Sequence, residues 1–387
     1  MDRSSRTLIV TDRADFFMPK LLASVALDGH EPLAVDVLRW GPARDDASPQ
    51  AFTDQVAMQH WPPGVREYAC DGLDQAVSPG GHTGVSSLDA LLDGYAQIAV
   101  YSVNPWNAGL INHLVAHWPQ EQLSIICSDD EIERHWNYQR HAAAEPERTA
   151  ARDAELRAAF LYPPEVEQAF EGMQRWFIGR APWEAMLRTG RKAPITLIPH
   201  VPPILNRIPG IDQVQRGERV YRVVLFPKPS VAREHFMAAA QSLARAAAAS
   251  GQALEIVSFR NDMPTLSAVD AGQGGTVWLR CHPYPIEEAM YHRIVAAAHG
   301  LVIVPRGGLS TIRDAVRYGL DLISLFPNTP NEFACRDDIG LAFTPPEQLA
   351  IAGDGPAQRR AANRAALGRY EFAAIAAFRQ TYLHPAP

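Results

Sequence analysis

At 387 residues, with 47% apolar and 20% charged side chains, the chain has room for two α/β cores and the composition of an ordinary globular protein. A net charge of −7 excludes a general nucleic-acid binder, which needs a dominant positive field. No apolar run approaches the length of a membrane span. The four cysteines (Cys70, Cys127, Cys281 and Cys335) are far apart and lack CxxC spacing, so they read as free, buried thiols of a cytoplasmic protein.

The opening MDRSSRTLIVTD does not have signal-peptide form and leads into a buried strand over 7–11. A loop from Asp12 to Pro19 precedes a helix over 20–27 and a second strand over 33–38. This βαβ start lacks GxGxxG, which argues against a standard dinucleotide site. Phe16, Phe17 and Met18 read as loop residues packed on the core, with an apolar acceptor or lipid contact as their functional alternative. Residues 41–90 are rich in Pro, Gly, Asp and Ser and predict irregular loops around one or two short strands.

The strand pattern resumes over 98–103, followed by Asn104-Pro105-Trp106-Asn107 and a helix over 109–118. A buried strand over 123–127 ends at Ser128-Asp129-Asp130, ahead of a helix from Glu131. Adjacent carboxylates at a strand's carboxyl end are a general-base candidate, because like charges raise one pKa. The structural alternative is that one Asp caps the helix and the other is solvated. Helical spacing over 140–175 is broken at Pro163-Pro164, a short strand follows at 176–178, and Pro182 opens another helix. A strand over 195–198 leads to His200, which reads as structural beside its prolines or as a cleft residue.

Residues 206–218 have linker character and separate a first domain, 1–205, from a second, 219–355. The second begins with a strand over 220–226, after which Lys228 stands between two prolines as a phosphate contact or an exposed loop Lys. An Ala-rich helix (231–250), strands over 254–259 and 277–280, a turn at 272–275 and a helix over 287–298 follow. The stretch LVIVPRGGLSTIRDAVRYGLDLISLFPNTPN, 301–331, then reads as strand, Gly-bearing turn, helix, strand and loop. Ser310 or Thr311 is the expected helix cap, and Gly319 suits a left-handed helix end. Ligands of open parallel sheets bind outside the strands' carboxyl ends, where free helix N–H groups attract phosphate. Arg306, Gly307, Gly308, Ser310 and Thr311 are therefore a candidate diphosphate cradle, the alternative being a plain turn with a surface Arg. No His, Cys or carboxylate group has metal-ligand spacing. Residues 356–387 carry a long terminal helix, with room to pack back on the first domain.

Two successive Rossmann-like domains, a proline-marked linker and a terminal helix resemble the GT-B glycosyltransferases. The run HPYPIEEAMYHRIVAAAHGLVIVPRGGLSTIRDAVRYGLDLISLFPNTPNEF is similar to the donor side of that superfamily. Within it, RGGLST and NTPNEF resemble the turn and loop of the bacterial acetamido-fucosyl transferases of enterobacterial common antigen synthesis. The resemblance implies an α/β GT-B fold, two Rossmann-like domains facing across a cleft. It implies an enzyme that moves sugar from a nucleoside-diphosphate sugar to a glycan or lipid-linked acceptor in bacterial glycan synthesis. It implies no cofactor and no bound metal, with peripheral contact at the inner membrane face. Arg306, Gly307, Gly308, Ser310 and Thr311 would hold the diphosphate, and Asn328, Asn331 or Glu332 would reach sugar or ribose hydroxyls. His282 and Tyr284 would frame the base. No E-x7-E lines the donor loop, since Ser324 stands seven intervening positions before Glu332, and this departure favours inversion with Asp129 or Asp130 as base. A nucleotide-sugar 2-epimerase and a non-catalytic GT-B-like scaffold are the alternatives.

Overall fold

The computed structural model describes residues 5–13, 15, 17–26, 32–41, 61–75, 77–79, 87–178, 196–198, 202–229, 231–272, 275–305, 308–350 and 353–383, with backbone only at 129, 130, 132, 133 and 197. The chain divides into two compact units, 1–204 with 371–387, and 205–370.

The first unit contains strands β1 (Thr7–Asp12), β2 (Val35–Trp40), β3 (Arg66–Cys70), β4 (Ser78–Pro79), β5 (Gln97–Tyr101), β6 (Leu123–Ile126), β7 (Arg175–Phe177) and β8 (Thr196–Ile198). They form one sheet in the order β4-β3-β2-β1-β5-β6-β7-β8, parallel except at β4. The connecting helices are α1 (Phe17–Val25), α2 (Leu88–Leu92), α3 (Ala108–His117), α4 (Asp129–Ala144), α5 (Ala150–Phe160) and α6 (Pro164–Gly172). The inner strands are apolar runs buried on both faces, as covered parallel sheets require. Phe17 and Met18 lie in α1 rather than in a loop, and Met18 is buried in the core, so its packing role holds; Phe16 lies outside the described residues.

The second unit contains β9 (Tyr221–Leu225), β10 (Leu254–Phe259), β11 (Leu266–Gly272), β12 (Gly275–His282), β13 (Gly300–Val302) and β14 (Asp321–Ile323). Their order is β11-β12-β10-β9-β13-β14, parallel except at β11. Helices α7 (Arg233–Ala249), α8 (Glu288–Ala296), α9 (Leu309–Arg317), α10 (Pro330–Phe333) and α11 (Asp354–Phe378) complete it. Phe236, Ala240, Leu243, Ala244 and Ala247 form the buried stripe of α7, and the alanines bring that helix close to the sheet. The antiparallel β11 was not legible in sequence, because its alternating pattern is short and ends in a glycine turn. Residues 206–218 belong to this unit: Arg216 donates to the carbonyls of Ala296 at 2.9 Å and Gly319 at 3.1 Å, and to that of Tyr318.

Helix α11 belongs to the second unit up to Tyr370 and to the first from Glu371. In the first unit, Phe378, Tyr382 and Leu383 pack with Ile9, Val37 and Phe177. The Tyr382 hydroxyl lies 3.0 Å from Ser124 Oγ, and its carbonyl accepts from Thr7 Oγ1 at 2.6 Å. In the second unit, Arg360 of α11 donates to Asp321 Oδ1 at 3.0 Å and Oδ2 at 2.7 Å, and Tyr221 donates to Oδ2 at 2.9 Å. The neighbouring Gly300 leaves room for this cluster, since a Cβ there would stand 2.5 Å from the Tyr221 hydroxyl.

Asp321 is 1% exposed, so removing it leaves a partly buried guanidinium uncompensated. Asp321→Ala is expected to lower the unfolding free energy by about 3–5 kcal/mol, the scale for breaking a buried ion pair. Urea denaturation checks this; a loss under about 1 kcal/mol would mean that the pair contributes no more than a surface one.

Candidate functional site at the carboxyl ends of the strands

In the second sheet the chain leaves β9 towards β10 and returns on the other side as β13, so the order reverses between β9 and β13. That reversal opens a crevice outside the strands' carboxyl ends. Lys228 follows β9, and α9 follows β13. Gly308 begins α9 at φ +68°, ψ +24°, in the left-handed region that favours glycine. A Cβ at Gly308 would lie 3.5 Å from Lys228 Cε and 3.9 Å from its Nζ. The ammonium therefore stands beside the first turn of α9, whose N–H groups carry no side-chain cap.

Ser310 and Thr311 are not the cap: both lie within the first turn, because the glycine takes the cap position. Tyr291, on α8, donates to the Pro227 carbonyl at 2.9 Å and sits 3.4 Å from Thr311 Oγ1, tying the Lys228 loop to α9. Burial raises the Tyr291 pKa and keeps its hydroxyl protonated. Arg306 and Gly307 lie outside the described residues.

The loop after β14 is held by its own backbone. Asn328 is left-handed at φ +60°, and its N–H donates to Glu332 at 2.5 Å. Thr329 Oγ1 accepts the Glu332 N–H at 3.3 Å, completing a reciprocal cap on α10. Asn331 is 2% exposed, and its amide donates to the Val304 carbonyl at 2.8 Å. It ties the α10 loop to the end of the β13 segment. His282 ends β12, two strands from β9, and Tyr284 lies just beyond it. Asn261 accepts the Tyr284 N–H at 3.0 Å and donates back to its carbonyl. Burial, then Arg280, lowers the His282 pKa and favours the neutral ring. Phe259 bridges that ring to Tyr291, with centroid separations of 5.8 and 4.6 Å.

In the first sheet the order reverses between β1 and β5. After β1, Asp15 accepts the N–H groups of Phe17 at 2.8 Å and Met18 at 3.2 Å, with the Thr11 hydroxyl on the same carboxylate. After β5, Ser102 is left-handed at φ +62°. Its hydroxyl lies 3.2 Å from that of Ser128. Glu131, fully buried, accepts Val103 N–H at 2.5 Å and Ser128 N–H at 2.9 Å, and the Ser128 hydroxyl donates to it. Asp129 and Asp130 begin α4 two residues earlier than sequence predicts, and their side chains lie outside the description. Trp106 is 52% exposed on a turn fixed by Asn104, which accepts from the N–H groups of Trp106 and Asn107. His200 lies outside the described residues.

No family model and no curated protein matches the sequence, and the narrower likeness to the common-antigen transferases gains no support. Solved structures do match over nearly the whole length. The UDP-glucosyltransferase from Polygonum tinctorium capable of glucosylating indoxyl aligns at TM-score 0.55 and 10% identity, covering 98% of each chain. Apo UGT2 of Phytolacca americana aligns at TM-score 0.51 and 12% identity, covering 95% of each. The same UGT2 complexed with UDP-2-fluoro-glucose and pterostilbene aligns at TM-score 0.50 and 12% identity, over 98% of this chain and 94% of that one.

The chain has the GT-B fold. Within it, Lys228, Gly308, Ser310 and Thr311 follow the central strands β9 and β13 of the second sheet, the capped 328–332 loop follows the edge strand β14, and His282 ends β12 with Tyr284 just beyond it. Sequence reasoning missed Tyr291 and Glu131. Ser128-x-x-Glu131 is a capping-box pattern, and that signal was available. Among the described residues no group of three His, Cys, Asp or Glu side chains is placed to hold a metal ion. Among them, too, no helix is long and apolar enough to cross a membrane.

Burial raises the Glu131 pKa above its ordinary value, against the hydrogen bonds it accepts. The folded state then binds the proton more tightly than the unfolded state, so this residue's contribution is full below about pH 4.3 and declines as pH rises through the folded pKa. Glu131→Gln should lack that decline. Denaturant unfolding at several pH values checks it; parallel wild-type and variant curves above pH 4 would refute the raised pKa.

Proposed function

We propose that the protein is a glycosyltransferase whose second unit binds a nucleoside-diphosphate sugar. The supporting observation is the Lys228 ammonium beside Gly308 at the start of α9. A helix N-terminus carries partial positive charge, and a cation next to it is unfavourable by roughly 0.3–1 kcal/mol. A diphosphate between the two reverses the sign of both interactions. Gly308 gives it close access to the backbone, and Arg306 and Gly307, which precede it in sequence, are proposed to complete the cradle. Neutral His282 and Tyr284 are the surface proposed for the base. Ser310, Asn328 and Glu332 are proposed to border the sugar.

The acceptor hydroxyl belongs to the carboxyl edge of the first unit in this reading. Transfer proceeds with inversion: the acceptor oxygen bonds to the anomeric carbon, and the bond to the diphosphate oxygen breaks with its electron pair leaving on phosphate. A carboxylate takes the acceptor proton. Glu131 is fully buried and Asp15 is engaged in a helix cap, which supports Asp129 or Asp130 for that role. Lys228, Arg306 and the α9 N–H groups meet the charge of the leaving diphosphate. The acceptor is proposed to be a glycan or lipid-linked glycan of bacterial surface synthesis.

Calorimetric titration with UDP, TDP, GDP and ADP tests the donor site. One nucleotide is expected to bind, and Lys228→Ala should weaken it about tenfold to a hundredfold, the worth of one hydrogen bond to a charged group. Binding unaffected by Lys228→Ala would remove the cradle from the reading. Incubation with the donor alone separates transfer from 2-epimerisation, since only an epimerase alters the sugar's configuration.

A further inference from the structure

Parallel neighbours such as β10 and β12 are ordinarily joined by a crossover helix that covers one face of the sheet. Here β11 makes the link, antiparallel and at the edge. The β12 side chains on the α7 side, Val277, Leu279 and Cys281, are buried. The alternate ones, Thr276, Trp278 and Arg280, are exposed on the other face. Trp278 is 54% exposed, Leu266 50% and Val220 41%. These are three of the seven large exposed hydrophobic residues among those described, gathered on one sheet end. With Glu255 and Arg280 they line part of a cavity of about 560 Å³.

We propose that this face is the twofold interface of a homodimer. The occupant follows from its charges. Arg222 pairs with Glu255 at 2.8 Å, Arg280 reaches the same carboxylate at only 3.4 Å, and the Arg280 side chain is half exposed. Asp270 lies exposed on β11. The β11–β12 register sets Asp270 opposite Thr276, Ala268 opposite Trp278 and Leu266 opposite Arg280. A twofold axis across the strands at the Trp278 row maps the Arg280 row of one copy onto the Asp270 row of the other. Two Arg280–Asp270 pairs then form around a central pair of indoles, each facing the other copy's cavity. A face of one sign would repel its own copy; this one carries both signs in rows that exchange under the twofold. A central Trp with flanking Arg is also the composition that anchors protein interfaces.

Sedimentation equilibrium of the full chain over roughly 1–100 μM tests the proposal. The wild type is expected to be a dimer, and Trp278→Glu a monomer with an unchanged circular-dichroism spectrum. Arg280→Asp and Asp270→Arg should each weaken association at least about tenfold, the worth of roughly 1.4 kcal/mol, and the two together should restore it. A monomeric wild type over that range overturns the proposal. So does a dimer that survives Trp278→Glu, or a double variant no better than the single ones.

Discussion

Each sheet is pinned at the amino ends of its strands by one buried carboxylate, and the rest of each unit depends on that placement. In the first unit it is Asp36, whose Oδ1 accepts from Arg6 at 2.5 Å and whose Oδ2 accepts from the Tyr95 hydroxyl at 2.6 Å and from Arg66. In the second it is Asp321, between Tyr221 and Arg360. Burial alone would raise the Asp36 pKa, but hydrogen bonds from Arg66, Arg6 and Tyr95 outweigh it and hold the carboxyl below its usual range. Both clusters join segments far apart in the chain at the edge opposite the carboxyl-end loops. The carboxyl edge is shaped by turns, glycines and helix starts, with Glu131 and Asn331 tying strand ends there.

That division explains which parts were legible in sequence. The inner strands announce themselves as continuous apolar runs, because both faces are buried; 254–259 agrees to the residue, and 7–11 falls one short. The left-handed Gly319 after α9 was equally plain, with φ at +77°. The β11 strand was not, since a half-exposed strand at a sheet edge lacks a distinctive run. The buried carboxylates were also invisible: Asp36 and Asp321 become special only when partners 30 to 100 positions away are brought to them.

At the carboxyl edge the candidate residues also take part in local structure that the sequence does not show. Asn331 and Glu332 have the chemistry to bind a sugar, and each also holds local structure: Asn331 is hydrogen-bonded to the Val304 carbonyl and Glu332 closes the cap of α10. The SDDE run drew attention to its two aspartates, while the third carboxylate, Glu131, is the one that joins the ends of β5 and β6. A helix beginning directly after a buried strand presents N–H groups that need acceptors, and the nearest carboxylate is drawn into that need. Functional readings of strand-end carboxylates should therefore first subtract the residue that the capping pattern requires.

Across both sheets, three helix starts meet that need with a carboxylate, while α3, α7, α8 and α9 have no side-chain cap. Asp15 serves α1, Glu131 with Ser128 serves α4, and Glu332 with Thr329 serves α10. At α9 the cap is a left-handed glycine with no side-chain bond, and the nearby charged group is a lysine rather than a carboxylate. Placing a cation where the other three starts place an anion is the wrong choice for an isolated helix. An anion bound between the two makes both contacts favourable. The fold places that helix at the crevice where the strand order reverses, which is the ground on which the donor site is proposed there.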